Sequence, residues 1–361
     1  MASFYEQPSK SGLVVGQIST PRINTPPGVI IHCAQLQPTD RPIEDRYSVH
    51  FDADQDRLIL GVYDGMLLDI ALQSLRNADR LIKLSTGHGG SETAEHISQT
   101  LPQRLLHCEP ESTPGVFESV DKEILETFQK DHSIFHRKSA NWAQNARLIL
   151  SGCTALVLDV DLSKRAATWA NAGDCRLVVG SSEHNKTGSV LFETKDLNTG
   201  TEEERNRIIS EHPNEENIFV GERLFGRLKS TRGFGDGYYK LPKGFPGSGQ
   251  HRRYIEIISR VERPGKIHLK DAYAALFYGY KTPPYITARP QAGTYKLEQS
   301  DVVIIASDGL WDLISSEDAL RTITSGMQSN SSNLASYLIQ EVQKKCSPAD
   351  DITILVLAFD S

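Results

Sequence analysis

The sequence predicts an α+β protein in which antiparallel sheets are covered by helices. Short β-rich runs bounded by turn residues recur along the chain, and paired long helical patterns interrupt them. The regular strand–helix alternation of a parallel sheet is missing. With 361 residues, 39% hydrophobic and 24% charged, there is material for one large or two ordinary domains and the composition of a globular protein.

Taken in order, residues 1–28 are rich in Ser, Thr, Pro and Gly, with Lys10 and Arg22 as their cations. They read as a flexible arm and only weakly as a mitochondrial presequence. One domain, 29–361, is expected to follow. Strands are expected at Val29–Cys33, Tyr47–Phe51, Arg57–Tyr63, Thr154–Val160, Ala166–Ala170, Arg176–Gly180, Val302–Ala306 and Ile352–Ala358. Helices are expected at Glu92–His107, Gly115–Asp131, Thr201–Glu211, Ser316–Thr324 and Asn333–Lys345, the last with Leu334, Leu338, Ile339 and Val342 on one face. The stretch 237–285 holds nine Lys or Arg against Glu256, Glu262 and Asp271, with several Pro and Gly. It reads as a basic surface excursion, either a solvated loop or a flap that meets an acidic phosphoprotein.

A net charge of -7 argues against a general nucleic-acid binder, which needs surplus cations to neutralise phosphates. The five cysteines are scattered and include no CxxC pair, so they read as reduced thiols and not as a disulfide frame or zinc site. No apolar run approaches a membrane span and no secretory signal is evident. An intracellular, cytoplasmic monomer is expected, with the mitochondrial matrix as the alternative compartment.

Five segments place carboxylates at strand ends or the adjoining turns: Glu44-Asp45, Asp64-Gly65, Asn171–Asp174, Ser307-Asp308-Gly309 and Asp350-Asp351. Any one Asp-Gly pair alone is more simply a turn. Carboxylates gathered together repel one another unless cations neutralise them. Oxygen-bound hard ions that keep several waters, Mg²⁺ or Mn²⁺, are the natural partners.

The ordered set resembles the metal-dependent protein phosphatases of the PP2C (PPM) family over about nine tenths of the chain. It comprises Glu44-Asp45, Asp64, Ser151–Ala155, Asn171–Asp174, Arg232-Gly-Phe-Gly-Asp236, Ser307–Trp311 and Asp350–Thr353. The resemblance implies a four-layer αββα sandwich with the site at one end. It also implies hydrolysis of phosphoserine and phosphothreonine in proteins by a metal-activated water, using two Mg²⁺ or Mn²⁺ ions and a weaker third. Carried over residue by residue, Asp64 bridges two ions and the Gly65 carbonyl completes one shell. Asp45, Asp308 and Asp350 hold the pair, and Asp174 joins Asp308 at the third site. Glu44 orients waters, and His88 is the proton donor to the leaving alkoxide. No cysteine has an Arg six positions later, which argues against a cysteine-nucleophile phosphatase.

The run from Glu202 through Pro213, Arg223–Gly226 and Thr282–Ala288 is similar to the pyruvate-dehydrogenase-phosphatase branch, as is Pro42–Arg46. Two positions depart from it. Asp40 stands where many members keep a phosphate-binding Arg, leaving Arg41 as the candidate for that task, and Leu197 replaces a usual His.

One further departure lies inside the site. The family's Asp-Gly-His-Gly-Gly signature is split, because 22 residues, Gly65 to Thr86, separate Asp64 from Gly87-His88-Gly-Gly90. Three readings are open. The stretch is an inserted helix with Leu67, Leu68, Ala71, Leu75, Ala78 and Ile82 on one face; or a regulatory splice form; or a retained intron. The favoured reading is the intron. Gly65 and Gly87 flank the stretch equivalently, Gly65-Met66-Leu67 permits a 5′ splice site, Thr86-Gly87 a 3′ site, and Asn77-Ala78-Asp79 a branch point. Such short introns point to a filamentous fungus. The competing function is a catalytically impaired PP2C-like binding or regulatory protein.

Overall fold

The structure is a computed structural model and describes residues 4–6, 14–66, 91–133, 136–183, 188–261 and 279–360. His88, residues 67–86 with the helix expected there, and residues 262–278 lie outside the described residues.

Strand Arg57–Tyr63 shows how the layers arise. All seven residues are buried, although a strand sends successive side chains to opposite faces. Leu58, Leu60 and Val62 enter one core, while Ile59 and Tyr63 enter another. Each such side chain contributes about 2 kcal/mol by leaving water.

Two six-stranded sheets result, antiparallel throughout. The first runs Phe4–Glu6, Arg46–Asp52, Arg57–Tyr63, Ala155–Asp161, Ala166–Ala172, Gln291–Lys296. The second runs Val190–Glu193, Arg176–Ser181, Asp301–Ala306, Ile352–Phe359, Val29–Leu36, Ile18–Ser19. Val49, Leu60 and Leu158 of the first meet Cys33, Val303 and Leu355 of the second in the central core. Helices Ser91–Leu106, Thr113–Asp131 and Trp142–Leu150 cover the outer face of the first sheet. Helices Ser316–Gln328 and Leu334–Gln343 cover the second, their N-termini capped by Ser315 and Asn333. This is the expected α+β sandwich of four layers.

The expected strands and helices all occur, with ends displaced by a few residues. Within 1–28, Phe4–Glu6 and Ile18–Ser19 pair as edge strands of the two sheets. Strand Gln291–Lys296 and helix Trp142–Leu150 were not expected. The strand is an edge with exposed alternate residues, and the helix has only nine residues. Within 237–285 the solvated-loop reading describes residues 242–249 but not 237–241 or 250–261. Tyr238, Tyr239, Tyr254, Ile255 and Ile258 are buried, and helix Gln250–Arg260 lays its apolar stripe against the Phe128 ring.

A small third sheet matters for the site. Phe234–Gly235 pairs with Gly152–Cys153, which pairs with Gly65–Met66.

Candidate metal centre

Strand register brings the first two carboxylates together. Arg46 is opposite Tyr63, so Asp45, just before one strand, and Asp64, just after the other, emerge at the same end of the sheet. Of the charged neighbours that act on Asp64, Asp45 is the strongest. The second sheet delivers the rest to that end. Arg176 is opposite Ala306, and Ala306 is opposite Ile354. Asp174, Asp308 and Asp350 therefore leave their strands beside one another. Carboxylate oxygens of Asp64, Asp174 and Asp308 lie within 4.8 Å of each other.

Neighbouring side chains fix these groups. The Ser307 hydroxyl donates to Asp45 at 2.7 Å. Asn198 donates its amide to Asp174 at 3.0 Å. The Glu44 amide donates to Asp351 at 2.8 Å. Arg46 donates to the Ile43 and Asp45 carbonyls and pairs with Glu95 at 2.6 Å, anchoring the 43–45 turn to helix Ser91–Leu106. The Thr154 amide donates to the Asp64 carbonyl at 2.9 Å, and Gly65 stands opposite Cys153.

The electrostatics of the cluster are those of crowded anions. Burial pushes the Asp64 carboxyl well up, and Asp45, Asp350 and Asp174 add repulsion. Burial likewise raises Asp308, helped by Asp64, Asp174 and Asp350 and opposed by the Lys229 ammonium. Asp45 is raised by burial and by Asp351, against its bond from Ser307. Asp351 is pushed up to about 7, chiefly by burial. Folding such groups together as anions is costly without counter-cations. An all-oxygen donor set with this charge suits Mg²⁺ or Mn²⁺, so the residues present fit the ions that the fold implies.

Of the residues expected from sequence, the structure brings Asp45, Asp64, Gly65, Asp174, Asp308 and Asp350 to one end of the sandwich. Glu44 adjoins them through its backbone. Arg41 is exposed on the preceding loop, and its charge is felt by Asp351. His88 lies outside the described residues. Sequence reasoning missed Ser307 and Asn198 as positioning groups, and Lys229 as a cation facing Asp174 and Asp308. The Ser-Asp-Gly run signalled the first; only tertiary structure brings the other two near.

The sequence model of a family described as Protein phosphatase 2C matches residues 60–348. The chain belongs to the protein phosphatase 2C family. Among relatives, human mitochondrial pyruvate dehydrogenase (acetyl-transferring) phosphatase 2 is 36% identical over 180 residues, 49% of this chain and 32% of that protein. A protein phosphatase 2C homolog of Schizosaccharomyces pombe is 29% identical over 259 residues, 66% of this chain and 54% of that one. These matches span about a third to a half of the relatives' own length. The crystal structure of a phosphatase from a pathogenic strain of Toxoplasma gondii superposes with a TM-score of 0.57 at 15% identity, covering 95% of both chains. That likeness concerns the protein phosphatase 2C fold. Among the described residues, no helix is long and apolar enough to cross a membrane.

Proposed function

We propose that the chain is a metal-dependent protein serine/threonine phosphatase. The observation that carries this reading is the convergence of Asp64, Asp174 and Asp308 within 4.8 Å, with the charge of Asp45 acting on Asp64. Asp45, Asp64, Asp308, Asp350 and the Gly65 carbonyl would hold two Mg²⁺ or Mn²⁺ ions, and Asp174 with Asp308 a third. When bound, such ions activate water and neutralise charge on a phosphoryl oxygen. Glu44 orients water at the cluster, Arg41 supplies a cation for the substrate phosphate, and His88 protonates the departing serine or threonine oxygen. The bond from phosphorus to that oxygen breaks as a bond to a water oxygen forms, without a phosphoenzyme. Manganese-dependent phosphate release from a phosphothreonine peptide, lost in Asp308→Ala, tests the reading. Release that is unchanged in Asp308→Ala would refute it.

Relatives named as pyruvate dehydrogenase phosphatases support a substrate of that kind and the mitochondrial matrix as its compartment. The 22 residues from Gly65 to Thr86 are read as a retained intron, from a filamentous fungus, because glycine flanks both ends and the signature closes when they are removed. Sequencing the spliced transcript decides the point; a mature message that always keeps the stretch would defeat it.

A further inference from the structure

We propose that the buried ion pair Asp121–Lys240 is a positioning device for the metal centre, acting through two strand pairings on Gly65. The inference rests on the proposed metal-centred reading, in which the Gly65 carbonyl is a ligand.

The connection can be followed bond by bond. Asp121 projects from helix Thr113–Asp131, and its side chain is 9% exposed; that of Lys240 is 2% exposed. One Asp121 oxygen accepts the Lys240 ammonium at 2.8 Å, and the other accepts the Gly235 amide at 2.9 Å. Lys240 also donates to the Gly233 carbonyl at 2.6 Å. The pair therefore clamps both sides of Phe234–Gly235. Gly235 stands opposite Gly152, and Cys153 stands opposite Gly65. The Asp236 amide adds a bond to the Ser151 carbonyl at 3.0 Å, and the Thr154 amide holds the Asp64 carbonyl. Two pairings thus separate the helix from the peptide that presents a ligand.

The glycines show how tight the path is. Gly235 has φ +73, and a Cβ there would collide with the Ser151 carbonyl. A Cβ on Gly152 would fall on the Asp236 carboxylate. Neither position admits a side chain, so the backbones of these strands lie directly against their neighbours. A buried ion pair is a poor device for stability alone, since apolar residues of the same volume often do as well. Its value lies in direction: charge-assisted bonds fix the backbone they touch. Groups that orient ligands in this way commonly change metal affinity by about 10–100-fold when lost.

The test is Mn²⁺ titration calorimetry on the full chain, with thermal midpoints measured alongside. Asp121→Leu and Lys240→Met are expected to weaken Mn²⁺ binding at least about ten-fold. Asp121→Asn keeps an acceptor for Gly235 and is expected to recover most of that loss. The control is Asp159→Asn, which breaks the buried Arg57–Asp159 pair at the far end of strand Arg57–Tyr63. It should lower the midpoint and leave Mn²⁺ affinity unchanged. Should Asp121→Leu fail to fold, Lys240→Met against the same control decides the matter. Variants that lose midpoint but bind Mn²⁺ like the parent overturn the positioning role, while loss of binding in Asp308→Ala would still uphold the metal centre. A parent chain that takes up no Mn²⁺, or binds it unchanged in Asp308→Ala, overturns both.

Discussion

Ser307 donates its hydroxyl to Asp45 at 2.7 Å while the same oxygen accepts the Thr353 amide at 3.0 Å. The bond joins the two sheets at the end where the carboxylates meet. It also fixes the rotamer of Asp45, whose carboxyl is otherwise pushed up by burial and by Asp351. Ser307→Ala should therefore weaken Mn²⁺ binding about ten-fold while leaving the KM for a phosphopeptide near the parent value. Metal titration and steady-state kinetics check it; an unchanged metal affinity would mean that Asp45 needs no such restraint.

Glu204 anchors a second network. Its side chain is 1% exposed and accepts from Arg232, Arg207 and Thr231. Burial alone would raise this carboxyl, but those bonds outweigh it and hold it at about 2. Because the folded value lies below the unfolded one, Glu204 stabilises the fold fully above about pH 4.5, and that stabilisation is lost as pH falls toward 2. Glu204→Gln should cost about 3 kcal/mol at pH 7 by leaving the two half-buried guanidinium groups of Arg207 and Arg232 short of their partner. The difference from the parent should shrink as pH falls below 4.5. Urea midpoints at pH 7 and pH 3.5 measure this.

Asp236 is the opposite case. It is buried, sits at φ +53, and has an oxygen with no hydrogen-bond partner. Burial pushes it up to about 7, Lys240 opposing and Asp121 adding. Its ionisation therefore weakens the fold progressively as pH rises from about 4 to 7, and the penalty is constant above that. Asn tolerates the same backbone region and carries no charge. Asp236→Asn should gain on the parent as pH rises, its advantage clearly larger at pH 8 than at pH 5, as shown by paired thermal midpoints. An equal effect at both would place the carboxyl's ionisation outside this range.

These cases show where the sequence was informative. The eight expected strands were legible because their apolar runs are short, β-branched and bounded by turns. Asp64 was legible as a strand end, and the register that sets it against Asp45 follows from a buried antiparallel pair. Lys229 and Asn198 were not, because their relation to Asp174 depends on how residues 198 and 229 fold back over the strand end. Helix Gln250–Arg260 was hidden by its cations: Tyr254, Ile255 and Ile258 give it an apolar stripe, but its basic composition suggested a loop.

Residues 65–86 stand in the sequence between Asp64 and Gly87-His88-Gly-Gly90. Catalytic geometry is exacting, and about 1 Å of displacement can cost about 100-fold in rate. A chain lacking Gly65–Thr86 should therefore turn over a phosphothreonine peptide at least about ten-fold faster with Mn²⁺ than the 361-residue form. Equal kcat in both would show that the stretch leaves the site intact.

The central claim is that acidic side chains from five separated strand ends gather around hard cations. Crystals grown with Mn²⁺ and measured at the manganese absorption edge test it most directly. The account predicts strong anomalous peaks at coordination distance from the carboxylates of Asp64 and Asp308, with Asp45 and Asp350 alongside. A well-ordered map with no such peak between these residues would contradict it.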